Sequence, residues 1–367
     1  MLLVVLGAGA SLDFAAQRLD ELTWRPPVTD GLVEDSQRNR RLLNLIPGRA
    51  ASGLVATLRQ ALAPGGGTAL EATLDKMSQE AGEETREFLA FRFYLQSLLQ
   101  ECSTRGVAEV GGATNHSILV RTIELWRRRR NERVLYVTFN YDTILDQALA
   151  GQYDWEPHLD SRRLDRYISS DEFRLFKLHG SCNWGQAVHD TRPELSLDLD
   201  TWDAVECRRE MLDMVTRAEM TLADDYRLLP PVVDAIERCQ FRTKDGKNHL
   251  LVPALAIPLA TKAAFACPVS HQLELVRHLP LVDRVLAIGW KGGESHFVKL
   301  LTKIRAESRL LVVDPSEETL RRVPRLLQEA SVPLLYAQDD ARHLQTSTFS
   351  QFIAGEGLTR FLEDSSD

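Results

Sequence analysis

The chain has 367 residues, of which 44% are hydrophobic and 26% charged, a composition typical of a globular protein with a sizeable core. Its formal net charge of -8 argues against nucleic acid as the main ligand, so we expect no direct nucleic-acid binding. Since no apolar run approaches the ~20 residues that span a bilayer, we also expect no membrane partner.

The cysteines and the first residues point to a reducing compartment. The five cysteines are scattered and form no CxxC pair, so the sequence predicts neither a disulfide framework nor a zinc module. The first apolar run, Leu2 to Leu6, is too short for a signal peptide and has no basic residues before it. We therefore expect a cytoplasmic protein that needs no metal ion.

The chain begins with an apolar run followed by small residues. Leu2 to Leu6 shows no polar alternation, which predicts a buried parallel strand. Gly7-Ala8-Gly9-Ala10-Ser11 follows at once, and glycines directly after a strand allow a sharp turn that brings backbone N–H groups close to a phosphate. An ordinary strand-to-loop turn explains the same residues equally well. Taken alone, the turn leaves nucleotide binding open.

A long region without strand signals follows, and the sequence predicts a helical insertion over residues 13–129. Apolar residues recur at helical spacing in four stretches of this region, 54–62, 70–77, 83–102 and 115–129. Four consecutive arginines, 127–130, end the last stretch, and they indicate a solvated helix end before the next strand.

Two later strands end in polar residues. Val134 to Thr138 is an apolar, β-branched run that leads into Phe139-Asn140-Tyr141-Asp142. Open α/β sheets bind their ligands at the carboxyl ends of such strands, although Asp142 has an alternative role as the N-cap of the following helix. A third strand, over 173–178, ends at His179-Gly180-Ser181. That position favours a histidine facing a cleft, with a buried structural histidine as the alternative.

The rest of the chain predicts a second insertion, over residues 190–248, and then a return to alternating strands and helices. Strands are predicted at 249–252, 285–288 and 310–313, and helices at 295–305 and 317–329. Strands that alternate with helices imply right-handed crossovers. We therefore predict an α/β fold, a single unit whose Rossmann-like, doubly wound, mainly parallel sheet is formed by residues 1–12, 130–190 and 249–340.

Three motifs resemble the sirtuin superfamily when taken in this order. They are GAGAS at 7–11, TFNYD at 138–142 and KLHGS at 177–181, and they are most similar to the bacterial sirtuin-like branch known from antiphage defence. AIGW at 287–290 and VVDP at 312–315 resemble the later nucleotide-contacting turns of the family. The resemblance implies a sirtuin-like fold for the predicted sheet and its insertion.

The resemblance also implies an NAD site at the carboxyl edge of the sheet, with His179 as the catalytic base and Asn140 as its catalytic partner. The implied NAD-binding residues lie by the pyrophosphate (Gly7, Ala8, Gly9, Ser11), by the nicotinamide and its ribose (Thr138, Asp142), on the phosphate–ribose side (Gly289, Trp290) and at the adenosine (Asp314). NAD is then a substrate that is broken rather than a redox carrier.

Departures from the deacylating sirtuins change the expected reaction. Those enzymes continue after the glycine turn with an IPDFR-like segment and carry a four-cysteine zinc module, whereas this chain has Leu12-Asp13-Phe14-Ala15 and no such module. The resemblance therefore implies an NAD glycohydrolase that produces ADP-ribose and nicotinamide. A protein deacylase or ADP-ribosyltransferase, and a nucleotide-sensing subunit without turnover, are the alternatives.

The same resemblance implies a toxic effector of a bacterial antiphage (abortive infection) system. Because an unrestrained NAD hydrolase would harm its own cell, we expect activity to be gated by assembly into a homo-oligomer or by a partner. A separately encoded partner, such as a helicase-like ATPase or a short Argonaute, fits the family.

Overall fold

The computed structural model describes residues 1–16, 22–27, 29–62, 70–82, 85–153, 155, 164–190, 203–229, 239–242, 248–259, 265–335 and 344–363. Its strands are β1 (Leu2–Leu6), β2 (Val134–Thr138), β3 (Phe173–Lys177), β4 (Gly180–Asp190), β5 (Met220–Leu228), β6 (Gln240–Arg242), β7 (Asn248–Leu255), β8 (Arg284–Ile288), β9 (Arg309–Asp314) and β10 (Leu344–Thr346). Its helices are α1 (Ala8–Leu12), α2 (Gln37–Asn44), α3 (Ala50–Leu62), α4 (Leu70–Ala81), α5 (Arg86–Glu109), α6 (Asn115–Arg130), α7 (Ile144–Gln152), α8 (Arg166–Ser169), α9 (Ala204–Thr216), α10 (Val269–His278), α11 (Ser295–Leu301), α12 (Glu317–Glu329), α13 (Phe349–Ala354) and α14 (Gly357–Glu363). No helix in these ranges is long and apolar enough to cross a membrane.

Six strands form one sheet in the order β3-β2-β1-β8-β9-β10. Every neighbouring pair is parallel, and β1 pairs along its whole length with β2 on one side and β8 on the other. Counted along the chain, these strands have the 3-2-1-4-5-6 order of a doubly wound Rossmann sheet. The predicted α/β class and the mainly parallel, Rossmann-like sheet are confirmed.

The strand order reverses between β1 and β8. From β1 the sheet grows outward through β2 to β3, and the later strands are then added on the other side. All five side chains of β1 are fully buried, which explains why the strand shows no polar alternation. Doubly wound sheets bind ligands in the crevice at such a reversal, outside the carboxyl ends of the strands. Gly7 and Gly289, which follow β1 and β8, lie at this place.

A smaller antiparallel sheet, with the order β5-β4-β7-β6, packs against the helices of the predicted insertions. Helices α2 to α5 and α9 share one apolar core with β4 and β7. Strands β4 and β7 lie within the ranges 130–190 and 249–340 that were predicted for the Rossmann-like core, and the structure places both in the antiparallel sheet. A short apolar run such as β7 has no feature of its own that indicates which sheet it joins.

Helix α6 belongs to the core of the parallel sheet, although it was predicted within the insertion. Leu119, Val120, Ile123 and Trp126 are buried in the same core as β1 and β2. Helix α6 therefore packs with the parallel sheet, although it lies before the predicted end of the insertion at about residue 129. The arginine run 127–130 forms the last turn of α6 and is half-buried to exposed, as predicted.

Two buried histidines are expected to make the stability of the fold depend on pH. Burial lowers the pKa of His116 and of His271 from the usual 6.5 to about 4, and for His116 this outweighs the opposite effect of nearby Asp142 and Asp13. Between pH 6.5 and 4 the unfolded chain binds protons that the folded chain does not, so the free energy of unfolding decreases as the pH falls. Each histidine should contribute up to about 3 kcal/mol to this loss.

Urea unfolding of the wild type and of a His116→Gln/His271→Gln variant, measured at several pH values from 7 to 4, checks this expectation. Between pH 6.5 and 4 the variant should lose less stability than the wild type, because it lacks the two buried histidines. Carboxyl groups account for the pH dependence that remains in the variant. If the free energy of unfolding decreased equally with falling pH in the two proteins, the expected role of the histidines would be contradicted.

Candidate functional site

The glycine turn after β1 packs directly on the end of β8. The Gly7 amide donates to the Ile288 carbonyl at 3.0 Å, and the Gly9 amide donates to the Gly289 carbonyl at 3.2 Å. A Cβ atom on Gly7 would lie 2.3 Å from the Gly289 oxygen, so no larger residue fits. Both amides are therefore engaged within the protein, and Ala8 is the exposed residue of the turn.

Three of the predicted side chains meet beside this turn. Asn140 Nδ2 donates to the Gly7 carbonyl and to Ser11 Oγ, at 2.8 Å in each case. The Ser11 hydroxyl in turn donates to Asp142 Oδ2. Ser11 and Asp142 are buried and Asn140 is half-buried. Among the described residues, Asn140 Oδ1 has no hydrogen-bond partner, which leaves it available to a ligand.

Both carboxylate oxygens of Asp142 are bound within the protein, the N-cap of α7 is Thr143 rather than Asp142, and the role of Asp142 at the nicotinamide and its ribose stays a prediction. Its Oδ2 atom accepts from Ser11, while Oδ1 accepts from the Ile144 amide at 3.1 Å at the start of α7. Thr138 is buried below the turn, and its hydroxyl donates to the Leu6 carbonyl at 3.2 Å and accepts from the Asn140 amide at 3.1 Å. The ends of β1 and β2 are thus held together by side chains as well as by the sheet.

His179 lies where the two sheets meet, because β3 ends just before it and β4 begins just after it. Its ring is 5.0 Å from that of Phe139 and 6.3 Å from that of Tyr141, measured between centroids. These two residues flank Asn140 in the chain, so the structure brings His179 and Asn140 to the same edge of the sheet. The imidazole is 1% exposed.

Trp290 serves first as a packing residue. Its indole is 2% exposed, lies nearly parallel to Phe139 with the centroids 6.2 Å apart, and donates from Nε1 to Glu294 at 2.7 Å. A large buried aromatic residue next to a glycine turn fixes the end of β8 against the core. The predicted contact of Trp290 with the phosphate–ribose side of NAD stays a prediction.

Gly289 and Asp314 lie further along the same edge. Gly289 has a φ of +60°, and its amide donates to the Val313 carbonyl at 2.9 Å, which ties the turn after β8 to β9. Asp314 ends β9, and its Oδ1 atom accepts from the Ser316 amide at 2.8 Å. Neither residue is hydrogen-bonded to the cluster of Ser11, Asn140 and Asp142, and the role of Asp314 at an adenosine stays a prediction.

Several charged residues around the turn had no predicted role. The Asp13 carboxylate accepts from the Ser350 amide at 2.7 Å and from the Ser350 hydroxyl, which anchors α13 two residues after Ser11. Arg25 Nε donates to the Leu12 carbonyl at 2.8 Å and brings a guanidinium to the end of α1. The spacing of residues in the sequence does not indicate such hydrogen bonds between distant parts of the chain. Lys177 on β3 did carry a signal, since it is a charged residue in a strand predicted to be buried.

All five cysteines lie in the described residues, buried, as thiols. Among the described residues, no group of three or more histidine, cysteine, aspartate or glutamate side chains is placed to hold a metal ion. The expectation of a metal-free protein stays a prediction.

No protein-family model and no curated protein matches the chain. Comparison with solved structures finds Sir2 homologues. One is a complex with NAD, with 11% identity and a TM-score of 0.38, covering 98% of this chain and 88% of that one. Two are ADP-ribose complexes of variants, histidine to asparagine (TM-score 0.38) and serine to alanine (TM-score 0.37), each with 12% identity and covering 98% of this chain and 91% of that one. The strand order of this chain itself shows the Rossmann-like fold.

Proposed function

We propose that this protein is a sirtuin-like enzyme that hydrolyses NAD to ADP-ribose and nicotinamide. The observation that carries the proposal is the hydrogen-bonded cluster of Ser11, Asn140 and Asp142 at the strand-order reversal, with His179 at the same edge. Doubly wound sheets bind dinucleotides at this position. The three sequence motifs, in the same order as in sirtuins, support NAD as the dinucleotide.

The residues at this edge suit such a ligand. The amide oxygen of Asn140 has no partner among the described residues, and it suits a ribose hydroxyl as a hydrogen-bond acceptor. The exposed Ala8 leaves the outer surface of the glycine turn open. Arg25 supplies a positive charge at the end of α1, where it favours the anionic half of a dinucleotide.

The proposed reaction breaks the bond between the nicotinamide nitrogen and C1′ of the ribose through an oxocarbenium-like state. The electron pair of that bond neutralises the positively charged ring, so nicotinamide leaves without protonation by an acid. The protein must position the ribose and supply a base for water. In this scheme Asn140 orients the ribose or the water. His179 takes the proton as the water oxygen bonds to C1′, and it later releases that proton to solvent.

Water is a better candidate acceptor than an acyl-lysine peptide. The segment after the glycine turn, which departs from the IPDFR-like pattern, is anchored internally. Asp13 is bound to Ser350, and Phe14 is fully buried in a small cluster with Ile144. These contacts support a reaction that uses the glycine turn but has no peptide substrate.

Incubating the purified protein with NAD alone tests the proposal. We expect equimolar nicotinamide and ADP-ribose without any acceptor, quantified by liquid chromatography over a range of protein concentrations. Nicotinamide release that requires an acylated or acceptor protein would favour the deacylase or ADP-ribosyltransferase. Calorimetric binding of ADP-ribose without turnover would favour the nucleotide-sensing subunit.

The motif resemblance also supports a role as a gated toxic effector in bacterial antiphage defence. Such a protein acts as a homo-oligomer or with a separately encoded partner. Full turnover by a dilute, monomeric protein without any partner would contradict the gating, while leaving the hydrolase activity in place.

A further inference from the structure

A buried ion pair lies below the strand ends, and the proposed reaction does not use it. Lys177 is fully buried, and its Nζ atom donates to Asp146 Oδ2 at 2.8 Å and to the main-chain oxygen of Asp142. The other carboxylate oxygen of Asp146 accepts from the Tyr167 hydroxyl at 2.7 Å. A side chain from the end of β3 therefore holds the main chain of the turn after β2.

The same hydrogen-bond network continues to the start of β4. Asn183 Nδ2 donates to the Tyr167 hydroxyl at 3.3 Å, and Ser181 Oγ donates to Asn183 Oδ1 at 2.5 Å. The Cys182 amide donates to the Tyr141 carbonyl at 2.8 Å. The residues on both sides of His179 are thus connected to the residues that follow Asn140.

Stability alone does not account for this ion pair. Removing a lysine and a carboxylate from water costs several kcal/mol per ion, and apolar residues of similar volume are often as stabilising or more so. An apolar pair lacks the directed donor that Lys177 gives to the Asp142 carbonyl. The distinctive contribution of the ion pair is therefore the position of the turn.

We propose that Lys177 is a positioning residue that, together with Asp146, fixes the turn carrying Asn140 and Asp142 relative to His179. The consequence for catalysis rests on the proposed NAD hydrolysis, because it requires Asn140 and His179 to act on one substrate. A displacement of about 1 Å between such groups lowers a rate by about 10²-fold. The contacts of Lys177 are to the protein itself, so it acts through Asn140 and His179 and not on the substrate.

A double variant, Lys177→Met/Asp146→Leu, separates positioning from folding, since it replaces the whole pair and leaves no lone buried charge. The matched control is Arg174→Met/Glu274→Leu, which removes a partly buried ion pair (3.1 Å) between Arg174, on β3 like Lys177, and Glu274 of α10. In the first variant, hydrogen exchange of the peptide 139–145, followed by mass spectrometry, should become at least about 10-fold faster. The kcat for NAD should fall about 10- to 100-fold, with KM within about threefold of wild type. The control should show neither change.

Unchanged exchange at 139–145 and unchanged kcat in a folded double variant would overturn the inference. If the double variant fails to fold, Tyr167→Phe removes the hydroxyl that donates to Asp146 and leaves no lone buried charge, and the same two readouts decide. A wild type that cleaves no NAD would count against the proposed function instead, and the exchange comparison would still show whether Lys177 holds the turn.

Discussion

Replacing His179 by alanine should lower the rate of NAD cleavage by about 10²- to 10⁴-fold, the range lost when a positioned acid–base group is removed. The ring of His179 contacts the rings of Phe139 and Tyr141 at the edge that carries Asn140. Histidine is the side chain best suited to accept a proton from water near neutral pH. The measurement is nicotinamide release at saturating NAD, with binding of ADP-ribose followed by calorimetry.

The affinity for ADP-ribose should stay within about threefold, because an interaction made only in the transition state contributes to kcat and not to binding. His271→Gln is the matched control, since it removes a second buried histidine, whose Nε2 lies 3.1 Å from the Leu164 carbonyl. It should leave turnover unchanged. Turnover of the His179→Ala protein close to that of wild type would remove His179 from the reaction and favour a sensor without chemistry.

The parallel sheet could be predicted because of how it is buried. A parallel strand covered on both faces needs apolar residues at every position, and β1, β2 and β8 therefore appear as continuous apolar runs. The polar residues that follow such runs must then lie at the sheet edge. This is why Asn140, Asp142 and His179 could be grouped from the sequence before any contact between them was known.

The parts that were missed depend on contacts between distant residues. A run such as β7 fits either sheet, and only its antiparallel pairing with β4 decides. The anchoring of Asp13 by Ser350 joins residues 337 positions apart. Nothing in the spacing of either residue indicates such a contact.

The glycine turn after β1 was open to two interpretations, an ordinary structural turn and a turn at a ligand site, and both fit the structure in part. Gly7 and Gly9 use their amides to pack on β8, as in an ordinary structural turn. The polar groups that make the place suitable for a ligand come from Ser11 and from Asn140 on the neighbouring strand. The motif therefore predicts where Ser11 and Asn140 meet, while the proposed chemistry depends on these side chains and not on the glycine amides.

Gly180→Ala should reduce the free energy of unfolding by about 4 kcal/mol, more than an ordinary surface change. Gly180 has a φ of +79°, a region that costs L-residues about 1–2 kcal/mol. A Cβ atom there would also lie 2.0 Å from the Ala254 oxygen and 2.8 Å from its carbonyl carbon, both backbone atoms of β7. The start of β4 would have to move away from β7, and His179 would move with it.

Gly112→Ala separates the two causes. Gly112 has nearly the same φ, +78°, but nothing lies within 4 Å of the position of its Cβ atom. The free energy of unfolding of this control should decrease by only about 1–2 kcal/mol, which is the cost of the backbone conformation. Urea unfolding of both variants measures the difference, and the contact with Ala254 accounts for it. Equal losses would mean that β4 and β7 separate easily and that the position of His179 depends on other contacts.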